Sequence, residues 1–134
     1  MSKQCSNFYP EPLFRSLLSG SYMLMRDTHY VSAFLDEPLK IEKGFIFSPS
    51  IPTCARMLVP VNSQVLIASL PHDFLYQTQP EGVTQKVADR VAREILVNRG
   101  EKKRVWMRFY CALRLFGFIA WKNNKSKKDI SRTK

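Results

Sequence analysis

An α+β fold follows from two periodicities that divide the chain near residue 82. Leu39, Ile41, Phe45 and Phe47 recur with period two, interrupted on that face by Lys43. Such alternation marks a half-buried strand. Val83, Val87, Val91 and Ile95 recur every four residues, with Ala88, Ala92 and Leu96 beside them. That is the apolar stripe of an amphipathic helix. A length of 134 residues with 45% hydrophobic content suits one domain with its own core. The predicted architecture is a central antiparallel sheet of four to five strands, a short N-terminal helix and one or two C-terminal helices.

Residues 1–10 read as a flexible N-terminal arm, 11–121 as a single α+β domain and 122–134 as a disordered basic tail. Pro12 followed by Leu13, Phe14, Leu17 and Leu18, with Gly20 behind, predicts a short helix, since proline fits a first turn and glycine can end one. Tyr22–Met25 and Tyr30–Leu35 are apolar runs joined by Arg26–His29, a hairpin pattern, and Asp36-Glu37-Pro38 makes the next corner. Pro49 and Pro52 place 48–53 in a loop. Arg56–Val61, demoted towards an edge by Pro60, and Gln64–Leu70 complete the strand candidates, joined at Asn62-Ser63. Val65-Leu66-Ile67-Ala68 is apolar on both faces, as a central strand would be.

Pro71–Gly82 reads as a loop. The helix that follows, over about 84–97, ends at Asn98-Arg99-Gly100, where glycine supplies the left-handed cap. Its β-branched valines require packing, expected against the sheet. Glu101–Trp121 fits two patterns. Odd positions from Val105 to Leu115 form an apolar face with period two, yet the length of the segment favours a helix, after a short strand at Val105–Cys111.

Composition narrows the function classes. The cysteines Cys5, Cys54 and Cys111 are odd in number and far apart, which predicts free thiols in a reducing compartment. The polar start predicts no secretory signal, and Arg108 and Arg114 interrupt the most apolar window, so the expected location is intracellular: cytoplasm, with nucleus as a second site. His29 and His72 lack partners at metal-ligand spacing, and His72-Asp73 reads as turn chemistry after Pro71. No phosphate-cradling glycine motif is present. A non-enzymatic protein with no cofactor and no metal is expected.

The strongest signal is charge. Residues 1–82 hold 6 Lys/Arg against 7 Asp/Glu, whereas 83–134 hold 15 against 4, and these nets of −1 and +11 make the overall +10. A cationic end of this kind seeks polyanions. The candidate contacts are Arg99, Lys102, Lys103, Arg104, Arg108, Arg114, Lys122, Lys125, Lys127 and Lys128. Trp106, Tyr110 and Trp121 are candidate rings for base stacking or for membrane contact. Nucleic acid is the first expected partner. An anionic membrane surface is the second, because Trp106 and Trp121 bracket an apolar stretch. Small viral matrix-type proteins combine the two tasks, an analogy of charge and size only. A third reading is an adaptor or homo-oligomer whose basic tail supplies localisation.

Overall fold

The computed structural model describes residues 7–49 and 62–133, with side chains in the last helix described as far as Lys125. The fold is mixed α+β, built from two small antiparallel sheets followed by three helices. Strands β1 (Phe8–Tyr9), β4 (Thr28–Tyr30) and β5 (Leu39–Ile41) pair in the order β1-β4-β5. Strands β2 (Phe14–Ser16), β3 (Tyr22–Leu24) and β6 (Ile46–Phe47) pair in the order β2-β3-β6. The single sheet of four to five strands is therefore two sheets of three. Phe8 already pairs with Tyr30, so the N-terminal arm is tied into a sheet from that point.

The helix predicted from Pro12 to Gly20 is instead β2 and a turn. Phe14 lies opposite Leu24, and its ring meets Tyr22 and Phe47 edge-on at 5.7 and 5.6 Å. Leu18 is fully exposed, and Gly20 takes a left-handed φ of +90° in the turn back to β3. The apolar spacing in this segment reflects one inward ring and a turn, not a helical face.

Helix α1 (Ser63–Thr78) replaces the strand expected at Gln64–Leu70 and most of the loop expected at Pro71–Gly82. The strand expected at Arg56–Val61 lies outside the described residues. The Asn62 side chain accepts from the Val65 N–H at 2.9 Å, the action of an N-cap. Val65 and every residue from Ile67 to His72 are buried. A helix covered on nearly all sides is apolar all round, so its sequence carries no amphipathic period and resembles a central strand. Pro71 sits inside the helix, where the missing N–H costs one helical bond. At its end Gln79 adopts a left-handed φ of 41°, held by its own N–H to the Leu75 carbonyl and by its side-chain amide to the Trp121 carbonyl, both at 2.8 Å.

Helix α2 (Gln85–Asn98) begins at the Thr84 N-cap and closes as expected at Gly100, whose φ is +81°. Gly100 N–H reaches the Val97 carbonyl and Glu101 N–H the Leu96 carbonyl, the paired bonds of a Schellman ending. Val91 and Ile95 are buried and Val87 is half-buried. They pack mainly between α1 and α3 (Lys103–Thr133) and not on a sheet. Helix α3 contains no strand at Val105–Cys111: Val105, Phe109, Ala112 and Leu113 are buried at helical spacing. It also continues through the segment expected to be a disordered tail. Helix α1 thus packs against β5 and β6 and against both other helices, while α2 also meets β4 directly, the Tyr30 O–H donating to Glu94 Oε1 at 2.7 Å.

Candidate functional site

The predicted cations separate into those already engaged and those offered to solvent. The Arg99 guanidinium donates to Glu11 Oε1 at 2.9 Å and to Gln64 Oε1 at 2.6 Å, tying the α2–α3 corner to the N-terminal segment. Arg114 donates to Asp89 Oδ2 at 2.9 Å. Lys102, Lys103, Arg104, Arg108, Lys122 and Lys125 are exposed. Lys127 and Lys128 lie on α3, with side chains outside those described.

The predicted rings face inward. Trp106 is half-buried against the core, and Trp121 meets Tyr76 edge-on at 5.1 Å. Tyr110 lies under the Arg93 guanidinium, 4.7 Å from its ring centre. The even-numbered strand face that would have aligned Trp106 and Tyr110 with Arg104 and Arg108 does not exist in a helix.

What α3 does expose is aliphatic and phenyl surface. Leu115 is 65% exposed, Phe118 and Ile119 are 54% each, and Met107 and Cys111 are exposed as well. At 100° per residue these five side chains fall within about 120° of helical arc. Arg104 lies on the same arc before them, Arg108 just after Met107, and Lys122 and Lys125 beyond Ile119. Residues 103–125 include no Asp or Glu. Among the described residues, no helix is long and apolar enough to cross a membrane.

A second constellation lies on the opposite side of α3. Asp89 of α2 is wholly buried and meets three donors from two helices, α1 and α3. Tyr76 O–H donates to Oδ1 at 2.7 Å, His72 Nε2 meets the same oxygen at 2.8 Å, and Arg114 occupies Oδ2. A carboxylate can only accept, so Nε2 carries the His72 hydrogen in this pairing. Burial pushes the Tyr76 phenol well above its usual range, and the Asp89 charge adds to the effect. His72 and Tyr76 meet Asp89 together because residues four apart share a helix face. Gly117 of α3 completes the fit: a Cβ there would collide with the Tyr76 hydroxyl and press on Gln85 Nε2 at 3.2 Å.

Beside this cluster a cavity of about 290 Å³ is lined by His72, Asp73, Tyr76, Leu113, Phe116 and Gly117, with Ser48 and Pro49 opposite. Burial raises the Asp73 carboxyl above the usual carboxylate range, and the neighbouring His72 charge opposes this. Gln77 Nε2 donates to Asp73 Oδ2 at 3.1 Å. None of His72, Asp73, Tyr76 or Asp89 was a predicted site residue. The available signal was the spacing His72-Asp73-x-x-Tyr76, which points to one helix face only once Pro71 is accepted inside a helix. Among the described residues no group of three or more His, Cys, Asp or Glu could hold a metal ion.

These features define an α+β domain with an exposed cationic helix and a buried histidine–carboxylate cluster. Residues 22–113 match the family described as a protein of unknown function (DUF1353), and the chain belongs to that family. No curated protein matches the chain, and no solved structure matches it. The matched span includes His72, Tyr76 and Asp89 and ends one residue before Arg114.

Proposed function

We propose that this protein binds a polyanionic surface through α3, and that the surface is an anionic lipid bilayer. The observation that carries this reading is the exposed apolar arc of Met107, Cys111, Leu115, Phe118 and Ile119, with Arg104 and Arg108 at its N-terminal end and Lys122 and Lys125 beyond its C-terminal end. Arg104 and Lys122 are five turns apart, about 27 Å along the axis. An interfacial helix buries such an arc at the acyl boundary while long cationic side chains reach back to the headgroups. Nucleic acid would use the cations but would leave Leu115, Phe118 and Ile119 in water. The rings suited to base stacking are occupied inside the protein. A second copy fits poorly, because pairing two α3 helices in either direction sets cations against cations with no carboxylate on the arc.

Sedimentation with vesicles tests this. Binding is expected with phosphatidylserine-containing vesicles and not with pure phosphatidylcholine. Replacing both Arg104 and Arg108 with glutamine should weaken it about 30-fold, at about 1 kcal/mol per cation near an anionic surface. Leu115→Asp with Ile119→Asp should abolish it while circular dichroism stays unchanged, since both side chains are exposed. Equal binding to neutral vesicles would refute the electrostatic part. Tight, salt-sensitive binding to single-stranded RNA or DNA that survives the Leu115/Ile119 change would favour nucleic acid instead.

A further inference from the structure

We propose that a second cavity, between residues 34–39 and the α1–α2 turn, binds a linear aliphatic diamine. One ammonium sits at Asp36 and Glu37, the other at Glu81, and the carbon chain lies on the apolar surface between them. The cavity holds about 350 Å³, the size of a small-ligand site. Its apolar lining includes Leu75 of α1, which is wholly buried, and Leu35, Leu39 and Val83, which pack against the core. Phe34 extends the wall and is 39% exposed.

Both walls are fixed by bonds within the protein. On one side the buried Ser32 accepts from the Phe34 N–H at 3.0 Å through its hydroxyl and from the Leu35 N–H at 3.3 Å through its carbonyl. Glu94 of α2 holds the same turn by accepting from the Ala33 N–H at 3.0 Å. On the other side Gln79 ends α1 in its left-handed conformation, and the Val83 N–H donates to the Pro80 carbonyl at 3.0 Å. Walls already ordered keep the cost of binding low.

The apolar cavity defines the site, and its carboxylates select the occupant. Among the described residues that line it, three are acidic and none is Lys or Arg. Asp36 and Glu37 belong to one wall and Glu81 to the other. All three are exposed, and among the described residues none of them is in an ion pair, although the chain carries 21 Lys/Arg. Among the described residues, no three His, Cys, Asp or Glu are grouped to hold a metal ion. The negative charges therefore share a cavity without converging on a point. That arrangement disfavours a compact divalent cation, which needs several oxygens around one centre, and suits a cation whose charges are separated. The apolar surface between the charges suits methylenes, which leave water on binding. A single ammonium would satisfy one wall only.

Titration of the full, isotope-labelled chain in low-salt, vesicle-free buffer tests this, and its failure leaves the bilayer reading untouched. Cadaverine is the probe. The comparisons are n-pentylamine, which has the stem and single charge of a lysine side chain, pentanediol and Mg²⁺. Cadaverine is expected to shift the amide resonances of Phe34, Leu39 and Val83 saturably. It should bind about 5-fold more tightly than pentylamine, the upper worth of one further exposed ion pair. Glu81→Gln should remove that preference by weakening cadaverine and leaving pentylamine nearly unchanged. Asp36→Asn combined with Glu37→Gln should do the same. Phe34→Ser should weaken both amines alike, because it removes wall and no charge. These four positions are exposed, so the fold should tolerate the changes. The net charge of +10 repels a free diamine at long range, so saturable binding reports the cavity itself. A preference over pentylamine that survives Glu81→Gln would overturn the proposal. So would equal affinity for pentanediol, tighter binding of Mg²⁺ at the same amides, or absence of saturable shifts with cadaverine.

Discussion

Asp89→Asn is expected to destabilise the fold by about 3–5 kcal/mol, the range for removing one partner from a buried ion pair. The carboxylate is wholly buried and meets three donors, so the amide leaves at least one of His72, Tyr76 and Arg114 without its acceptor. Domains are usually stable by about 5–15 kcal/mol, so the change would consume much of the margin. Urea denaturation followed by far-UV circular dichroism gives the number. Arg114→Met is expected to cost less than half as much, because the Arg114 side chain is 36% exposed and Asp89 keeps its other two donors. A loss under about 1 kcal/mol for Asp89→Asn would mean the cluster contributes little beyond what an apolar core would supply.

Gly117→Ala is expected to destabilise, against the helix-propensity rule. Alanine in a helix interior ordinarily gains about 1 kcal/mol over glycine. Here the added methyl would occupy the space of the Tyr76 hydroxyl, forcing it off Asp89 or pushing α3 away from α1. A loss of about 1–3 kcal/mol is expected, the range for overpacking a filled core. The collision is mostly with one oxygen, so Tyr76→Phe should relieve it. The double variant should then be more stable than the sum of the single changes predicts, a coupling that thermal denaturation of the four proteins can measure. Simple additivity would show that the methyl is accommodated elsewhere.

Helix α2 was legible because all its signals agree: Thr84 at the start, a valine–alanine stripe, Gly100 at the end. Helix α1 was hidden by its own burial. Its residues from Ile67 to His72 have no exposed face to set a period, and Pro71 reads as a breaker. Asn62, the cap that announces it, lay where a strand-to-strand turn was expected. Losing α1 also lost the buried cluster, since His72 and Asp89 are 17 residues apart and meet only when two helices are placed side by side. The cationic end was visible in composition alone. Composition does not tell which cations are already engaged: Arg99 and Arg114 are held by Glu11, Gln64 and Asp89, all distant in sequence. Likewise, the apolar face of Lys103–Thr133 was readable, but not which of its two faces the domain leaves uncovered.

The packing of α1 against both the strands and the other helices sets how the molecule opens. Strands of two or three residues cannot persist alone in water, and the two sheets depend on α1, which packs against β5 and β6, and on Glu94 of α2, which accepts from Tyr30 and Ala33. The three helices bury one another over much of their length and do not need the strands in the same way. The native state therefore has a cooperative helical unit and a labile β unit resting on it, which separate at different free energies. Amides of β2, β3 and β6 are expected to exchange with solvent faster than those of Val91, Ile95 and Phe109, which hydrogen exchange can measure. Because Ser48 and Pro49 directly follow β6, the wall they form over His72 and Asp73 belongs to the labile unit.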